Sequence, residues 1–226
     1  MPAPEEAARI KGGGIVGRNI GPQCRLCRAQ GYKLYLKGDR CKGPKCPVTR
    51  KKGAPGKGPR SRTKKISDYG VQLREKQKLK RMYGMLEGQF HLFFGKAVRR
   101  KGITGENLIQ MLERRLDNVV YRMHLAPSRK SARQLVLHGH ISINGRRASI
   151  PSQLVKENDE VAVREPSTKL TAIKESLKEY SRAGIVPWLE IDPDRMVGKI
   201  RAIPRRSEIT DLADIREQLI VELYSK

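Results

Sequence analysis

The stretch SRKSARQLVLHGHISINGRR, residues 128–147, decides the fold of the middle of this chain. Its first half predicts an amphipathic helix, because Ser128 is a favourable N-cap and Gly139 tolerates the left-handed backbone that ends a helix. Apolar residues recur at the three-and-four spacing of one buried face, at Ala132, Leu135 and Val136. Its second half predicts a β-hairpin, because residues 140–143 alternate polar and apolar before Asn144-Gly145, a strong signal for a two-residue turn.

Basic residues cluster where this helix meets the hairpin. Arg129, Lys130 and Arg133 share the polar face of the helix, and Arg146 and Arg147 directly follow the turn. A solvated charged helix would explain the first group of cations but not the second group beside it. We therefore interpret residues 128–147 as part of a small RNA-binding module.

The composition indicates a polyanionic partner. The chain has 226 residues and a formal net charge of +25, and such a charge repels itself unless nucleic acid or an anionic membrane neutralises it. No apolar run is long enough to span a bilayer, and the N-terminal segment, with Glu5 and Glu6, lacks the apolar core of a signal peptide. We expect a cytosolic protein that binds nucleic acid and no membrane.

The positive charge lies in the first two thirds of the chain. Residues 1–65 contain 18 Lys and Arg against 3 acids, and residues 66–164 contain 19 against 9. Residues 165–226 contain 11 of each kind. We expect the last third to pack on protein and the rest to contact phosphates.

Two close pairs of cysteines predict a metal site. Two residues separate Cys24 from Cys27, four separate Cys41 from Cys46, and thirteen lie between the pairs. Each short pair can present both sulfurs to one ion. Disulfides are the alternative, but they are rare in a reducing compartment. A cage of four thiolates suits structural zinc, which we favour, and it also suits an iron–sulfur cluster.

A basic segment follows the cysteines. From Arg40 to Ser67 there are eleven Lys or Arg and no acid, with four prolines that interrupt regular structure. Such a segment cannot build a core and predicts an irregular arm that becomes ordered against phosphates. Its candidate RNA contacts are Arg50, Lys51, Lys52, Arg60, Arg62, Lys64 and Lys65.

Apolar periodicity predicts helices on both sides of the central module. Before the module, we predict helices that begin at Ser67, Gln89 and Thr104, and the third runs through Val120. Later in the chain, we predict a strand at Glu160–Arg164 and a helix at Thr168–Arg182. A hairpin around Lys199–Ile203 and a last helix at Glu217–Tyr224 follow. The predicted fold class is α+β. A mostly helical domain, residues 67–111 and 167–226, is interrupted by an inserted α/β RNA-binding module, residues 112–166. A flexible extension, residues 1–20, and a metal-stapled irregular basic arm, residues 21–66, precede them.

The candidate RNA contacts of the module are its clustered cations and nearby polar residues. They are Arg115, Arg129, Lys130, Arg133, His138, His140, Asn144, Arg146 and Arg147. We expect them to recognise folded RNA by shape, along its phosphates. Because Arg129 and Arg133 lie off the apolar face, we predict that replacing both lowers RNA affinity and leaves the fold intact.

An RNA-modifying enzyme is the first alternative function. Arg115-Leu116-Asp117 looks like the sequence around the catalytic aspartate of pseudouridine synthases. However, Asp117 lies in a strongly periodic segment, where an aspartate commonly pairs with a nearby arginine, and no second domain of catalytic size remains. We therefore predict no catalytic residue and no enzyme activity. A translational repressor that binds its own messenger is the second alternative.

Six segments, in order along the chain, resemble the bacterial ribosomal small-subunit protein number four family. They are CRLC at 24–27, KLYLKGDRC at 33–41, SDYGVQLREKQKLKRMYG at 67–84, GENLIQMLERRLDNVVYRM at 105–123, the stretch at 128–147 and EQLIVELYSK at 217–226. The resemblance covers about residues 21–226. The chain departs from the family pattern in its first twenty residues and in the arm at 51–62, which reads GAPGKGPR from residue 53.

The resemblance implies a structural constituent of the small ribosomal subunit. Members of that family bind a multi-helix junction of the small-subunit ribosomal RNA and nucleate subunit assembly. They lie beside small-subunit protein number five near the messenger entry channel, where they contribute to translational accuracy. The expected partners are therefore that RNA, that protein and messenger RNA near the channel, and the expected location is the cytoplasmic ribosome.

Overall fold

The computed structural model describes residues 19, 21–56, 58, 65–178 and 186–225 of the chain. Its helices are α1 (Gln23–Gln30), α2 (Asp39–Lys42), α3 (Asp68–Met82), α4 (Glu87–Val98), α5 (Thr104–Glu113), α6 (Leu116–Arg122), α7 (Arg129–Leu137), α8 (Thr171–Leu177) and α9 (Glu217–Ser225). Its strands are β1 (Ile141–Ile143), β2 (Arg146–Ala148), β3 (Glu160–Val163), β4 (Leu189–Asp192) and β5 (Val197–Ile200). The mixture of helices with a small antiparallel sheet confirms the predicted α+β class.

Four helices build the helical domain around one apolar core. Leu79 of α3, Phe90 of α4, Leu108 of α5 and Ile220 of α9 are fully buried in it, and each such side chain contributes about 2 kcal/mol by leaving water. Helix α3 begins at Ser67, whose hydroxyl accepts a hydrogen bond from the Gly70 amide at 3.2 Å. The C-terminal helix therefore completes a core that the segments before the module begin.

The described part of the arm packs on this helical core. Leu34 is fully buried there, and Cys27 of α1 belongs to the same cluster. The two helices of the arm are short, at eight residues for α1 and four for α2. The arm thus shares the core of the helical domain, as expected of a segment too polar to form its own.

A five-stranded antiparallel sheet, in the order β2-β1-β3-β5-β4, carries the second core. Asn144 and Gly145 join β1 to β2 with φ angles of 48° and 76°, the positive values that a two-residue hairpin turn requires. Helices α6, α7 and α8 cover the sheet and bury Val119, Val136 and Ile173 against it. The predicted helix and hairpin of residues 128–147 are both present.

The last third of the chain is shared between the module and the helical domain, which differs from the prediction. The sequence pattern assigns residues 167–226 to the helical domain, but β4 and β5 extend the sheet of the module, and Trp188 is buried in its core. The segment that reaches the helical core begins near Ile209. Short strands show too little periodicity to reveal which sheet they join.

Two predicted element boundaries also need correction. The hairpin expected around Lys199–Ile203 lies earlier, at residues 189–200. The helix expected at Thr168–Arg182 is described as α8 over Thr171–Leu177, and the rest of that prediction falls partly on residues 179–185, outside the described residues. Within the described ranges, no helix is both long enough and apolar enough to cross a membrane.

The predicted third helix is two helices, α5 and α6. Arg115 between them has an extended backbone, with φ −66° and ψ 136°. It forms an isolated antiparallel bridge with Leu154, and the Leu116 amide donates to the Gln153 carbonyl at 2.8 Å. Apolar residues continue through this break, so the sequence pattern conceals it.

Candidate nucleic-acid interface

The hairpin of the module presents two exposed arginines. Arg146 and Arg147 are both exposed on β2, at the edge of the sheet. The guanidinium of Arg147 lies against Gly139, so close that a Cβ added to that glycine would stand 2.2 Å from Nε. Arg147 therefore lies beside the end of α7, where the sequence predicts contact between hairpin and helix. Lys130, in the first turn of α7, is also exposed.

Arg129 connects the module to the helical domain instead of facing solvent. Its side chain is 10 % exposed, its Nε donates to Asn118 Oδ1 at 2.7 Å, and its Nη2 lies 3.6 Å from Asp211. The guanidinium carbon stands 4.9 Å from the ring centroid of Tyr83 and 4.6 Å from that of Tyr121. The premise of the predicted joint replacement, that Arg129 lies free of the fold on the polar face of α7, was therefore wrong, whereas the effect of that replacement stays a prediction.

Arg115 cannot serve as an RNA contact, which corrects a sequence prediction. Its side chain is 1 % exposed, and it binds Asp117 through two hydrogen bonds of 3.0 and 2.7 Å. The guanidinium also lies over the ring of Phe93, at 5.5 Å from the centroid. Arg133 Nη1 approaches the same Asp117 at 3.3 Å. Asp117, the residue that resembled a catalytic aspartate, is thus held by two arginines.

Three polar candidates of the module have mixed surroundings. The Nδ1 atom of His140 lies 2.9 Å from the Ser167 hydroxyl, whereas His138 is exposed. The side chain of Asn144 donates to Asp159 at 2.9 Å and accepts the amide of Glu160 at 2.9 Å. Because these bonds tie the hairpin turn to β3, Asn144 has a structural role, whereas His138 can meet an external group.

The candidate cations of the arm fall into two groups. Arg50, Lys51, Lys52 and Lys65 are exposed, and Arg50 Nε donates to the Pro44 carbonyl at 3.1 Å. The other three predicted contacts, Arg60, Arg62 and Lys64, lie outside the described residues. The exposed cations of arm and module are the groups that could meet phosphates.

Comparisons with known proteins match this chain almost end to end. A family model described as ribosomal protein S4/S9 N-terminal domain matches residues 18–113, and one described as S4 domain matches residues 114–161. The small ribosomal subunit protein uS4 of Acetivibrio thermocellus is 57 % identical over 212 residues, and that of Trichlorobacter lovleyi is 54 % identical over 211. Both alignments cover 93 % of this chain and 100 % of the relative. The chain belongs to the uS4 family.

The junction between the two uS4 family models coincides with a structural break. It falls between residues 113 and 114, where α5 ends and the extended Arg115 precedes α6. The S4 domain model stops at residue 161, whereas the sheet continues through β4 and β5. In this chain the C-terminal segment therefore enlarges the sheet of the S4 domain.

A buried polar network joins the two uS4 domains, and no local pattern in the sequence marks it. Glu113 accepts hydrogen bonds from Arg122 at 3.0 and 2.9 Å, from Asn118 at 2.8 Å and from the Tyr83 hydroxyl. Arg122 also donates to Asp211 at 2.7 Å. Burial alone would raise the pKa of Glu113, but the charge and hydrogen bonds of Arg122 lower it to about 2. The network holds the exposed cations of the S4 domain in a defined position relative to the helical domain.

The arm of this uS4 chain carries all four cysteines. All four are free thiols; Cys27, Cys41 and Cys46 are buried, and Cys24 is partly exposed. Burial raises the pKa of the Cys27 thiol, and the other three cysteines raise it further through their charges. Among the described residues, no group of three or more His, Cys, Asp or Glu side chains has the arrangement of a metal site. The metal site therefore stays a prediction.

Backbone amides nevertheless point at three of these sulfurs, and the one on Cys27 accepts a hydrogen bond from the Leu34 amide, which lowers the pKa of that thiol against the larger effect of burial. The Lys37 amide donates to Cys41 Sγ at 3.4 Å. Burial would raise the pKa of Cys46, but hydrogen bonds from the amides of Thr49 and Val48 lower it below its ordinary value. Amide donors of this kind stabilise thiolates, the form in which cysteine binds metals.

Proposed function

We propose that this chain is a structural constituent of the small ribosomal subunit that binds small-subunit ribosomal RNA. The observation that carries the proposal is its identity of 54 to 57 % with small ribosomal subunit proteins uS4 over their whole length. The net charge of +25 supports a phosphate-rich partner. The exposed cations on the arm and on the S4 domain supply two separate surfaces for it.

The RNA contacts in this proposal are the exposed cations. In the S4 domain they are Lys130, Arg146 and Arg147, with the partly exposed Arg133 at the edge. In the arm they are Arg50, Lys51, Lys52 and Lys65. Arg60, Arg62 and Lys64 remain candidates on sequence grounds. Such contacts position the protein along the phosphate backbone of folded RNA, and the shape of the RNA supplies most of the specificity.

A binding experiment with full-length protein tests the proposal. Affinity for small-subunit ribosomal RNA is measured at several salt concentrations between about 50 and 200 mM, with large-subunit ribosomal RNA as competitor. We expect preferential binding to the small-subunit RNA and an affinity that falls linearly with salt on logarithmic scales, because each phosphate contact releases counterions. Equal binding to both RNAs would contradict the proposal.

We further propose the assembly and decoding roles that the family resemblance implies. The chain would join the small subunit early, in the cytoplasm, beside small-subunit protein number five and near the path of messenger RNA. The charge-balanced last third, with 11 basic and 11 acidic residues, supports a protein neighbour for that part. Omission of the protein from an in vitro reconstitution should prevent the later addition of protein number five, and its normal addition would contradict this role.

Catalysis is not part of the proposed function. The uS4 family consists of structural RNA-binding proteins, and Asp117 is held by Arg115 and Arg133. A carboxylate in two ion pairs is poorly placed to attack a nucleotide. Incubation with small-subunit RNA should therefore convert no uridine of that RNA to pseudouridine, and turnover would contradict this conclusion.

We also infer that Cys24, Cys27, Cys41 and Cys46 hold structural zinc, with an iron–sulfur cluster as the alternative. Four free thiols on one short segment, three of them buried, support a closed thiolate site. Zinc would link α1 to the segment around α2 and would not take part in any reaction.

Metal analysis of protein purified without oxygen tests this inference. We expect one zinc per chain, no visible absorption from an iron–sulfur cluster, and loss of zinc in Cys41→Ser. Removal of the metal by a chelator should lower the thermal midpoint, because metal binding to such a site contributes to folding. Metal-free protein with unchanged stability and RNA affinity would contradict it.

A further inference from the structure

A cavity of about 190 Å³ lies where the arm, the end of α3 and the S4 domain meet. Leu36 of the arm, with Met82 and Met85 at and after the end of α3, lines its apolar side. Arg81 of α3, with Lys130 and Arg133 of α7, lines its basic side. Three parts of the chain that are far apart in the sequence thus enclose one space with a mixed lining.

Several guanidinium nitrogens at this cavity lack acceptors. Arg81 Nη1, Arg129 Nη2 and Arg133 Nε are buried and have no hydrogen-bond partner within the described part of the chain. The Arg129 side chain is nine-tenths buried, and its Nη2 comes no closer to a carboxylate than 3.6 Å from Asp211. Burial lowers the pKa of Arg81 below its ordinary value. Buried donors without acceptors are destabilising, and the three arginines that carry them also line the cavity, so an anion there would meet guanidinium charge that is not fully paired.

The carboxylates nearby are already in use. Asp117 is the one acid among the described residues that line the cavity, and it is bound by Arg115 at 2.7 Å and by Arg133 at 3.3 Å. Lys80, also on the lining, is paired with Glu87 at 2.6 Å. The cavity therefore keeps a surplus of positive charge that its own residues do not neutralise.

The size and lining favour a single nucleotide. Pockets for drug-sized ligands occupy roughly 300–1,000 Å³, so a cavity of about 190 Å³ admits no more than one nucleotide, part of which stays outside, and excludes an RNA helix. The apolar side offers contacts to a base, and the ring of Tyr35, 44 % exposed, lies at the lining. Unstacked bases of folded RNA are commonly held on aromatic rings or arginine planes.

We propose that this cavity binds one unstacked nucleotide of the ribosomal RNA, with its phosphate on Arg81 and Arg133 and its base on the side of Tyr35 and Met85. The inference rests on the proposed RNA-binding function and deepens it. Exposed cations of the arm and hairpin hold the RNA backbone, whereas the cavity selects a position at which a base can leave its stack.

Chemical probing of small-subunit ribosomal RNA bound to full-length protein tests the inference. Base reactivity is mapped with the wild type, with Arg81→Gln/Arg133→Gln and with Gln77→Trp. Gln77 lines the cavity from α3, so tryptophan there fills the space and keeps every cation. The control is Arg195→Gln, at an exposed arginine of the β4–β5 turn. Thermal unfolding of each variant shows which ones are folded.

We expect the wild type to protect one unpaired base that both cavity variants leave reactive, while the backbone protections elsewhere persist. Affinity should fall about tenfold in each, which is within the range for loss of one stacked base, and Arg195→Gln should match the wild type. If the arginine variant is unfolded, Gln77→Trp decides alone. Unchanged base protection and affinity in a folded cavity variant would overturn the inference but not the RNA-binding function.

Two further outcomes separate this inference from its alternatives. If the wild type shows no preference for small-subunit RNA, both the proposed function and this inference fail. In a second experiment, adenosine monophosphate and inorganic phosphate are titrated onto protein without RNA. If either saturates the cavity and Gln77→Trp abolishes that binding without changing the RNA footprint, the cavity serves a free anion and the inference is overturned.

Discussion

Arginines that look alike in the sequence have different roles in this chain. Arg115 is buried in an ion pair with Asp117, whereas Arg146 and Arg147 are exposed on the hairpin. The difference arises because the backbone before α6 is extended and directs Arg115 inward, next to Phe93. At the scale of the residue, the partner that a cation meets decides whether it stabilises the fold or remains available for RNA.

Removal of the Arg115 charge should destabilise the protein without a direct effect on RNA contacts. Arg115→Leu leaves Asp117 buried with a single, longer ion pair to Arg133. Breaking a buried pair from one side costs about 3–5 kcal/mol, which urea denaturation would measure. The exposed control Arg195→Gln should change stability by less than about 0.5 kcal/mol. A fully stable Arg115→Leu variant with a reduced salt slope of RNA binding would show that Arg115 faces the RNA.

Neutralisation of the hairpin arginines should weaken RNA binding and leave the stability of the fold unchanged. Arg146→Gln/Arg147→Gln should lower RNA affinity and reduce the logarithmic salt slope by about 2, because each of the two arginines neutralises one phosphate. The matched control removes two exposed cations from the charge-balanced last third, as Lys169→Gln/Arg195→Gln. Affinity measured at several salt concentrations compares the two variants. If both reduce the slope equally, the effect is one of net charge and not of the hairpin surface.

At the scale of the element, the junction of α7 with the hairpin depends on a glycine. Gly139 has a φ of 74°, and a Cβ there would lie 2.2 Å from Nε of Arg147. Gly139→Ala should therefore destabilise the protein by about 1 kcal/mol through backbone strain and should displace Arg147.

Gly88→Ala supplies the matched control for that glycine. Gly88 lies in α4, and a Cβ there meets nothing within 4 Å. Alanine is the better helix former by about 0.5–1 kcal/mol, so this variant should be neutral or more stable. Thermal unfolding measures both, and a Gly139→Ala variant as stable as the Gly88→Ala variant would contradict the role of the left-handed backbone at the end of α7.

At the scale of the molecule, the network around Glu113 predicts the response to acid. Its pKa is about 2 in the folded chain against an ordinary value of 4.5. Because the folded-state pKa is depressed, the carboxylate stabilises the fold above about pH 4.5, and this contribution is lost as the pH falls towards 2. Stability measured by urea denaturation should therefore decline over this range.

Glu113→Gln tests the assignment of that acid response. The variant should be less stable at pH 7, because Arg122 loses a buried charged partner, and its stability should depend less on pH below 4.5. Glu87 is the control, since burial would raise its pKa but Lys76 and Lys80 lower it to about 2 as well. Glu87→Gln should keep the part of the acid response that belongs to Glu113. An unchanged pH profile in Glu113→Gln would refute the assignment.

Local patterns predicted the elements that rest on local interactions. The helix N-cap at Ser128, the hairpin turn at Asn144-Gly145 and the cap at Ser67 are all present in the structure. These features depend on hydrogen bonds and backbone angles within a few residues, which the sequence displays directly. The break before α6 was not predicted, because Gln153 and Leu154, which stabilise it, lie much later in the chain.

The site was only partly visible in the sequence. The hairpin cations could be identified because their charge and the turn are adjacent in the chain. In contrast, the cavity beside Arg81 and the network of Glu113 with Arg122 and Asp211 join residues far apart in the sequence. No periodic pattern marks such pairs, so only the folded chain reveals them.

By itself, the sequence determined the class of partner and the family, because charge, composition and ordered motifs are properties of the chain. It also determined the helix and hairpin of residues 128–147. The tertiary structure decided which arginines stay exposed, which sheet receives β4 and β5, and where the cavity beside Arg81 forms. The physical reason is that burial and long-range pairing depend on which surfaces meet after folding, and those contacts are not encoded in local spacing.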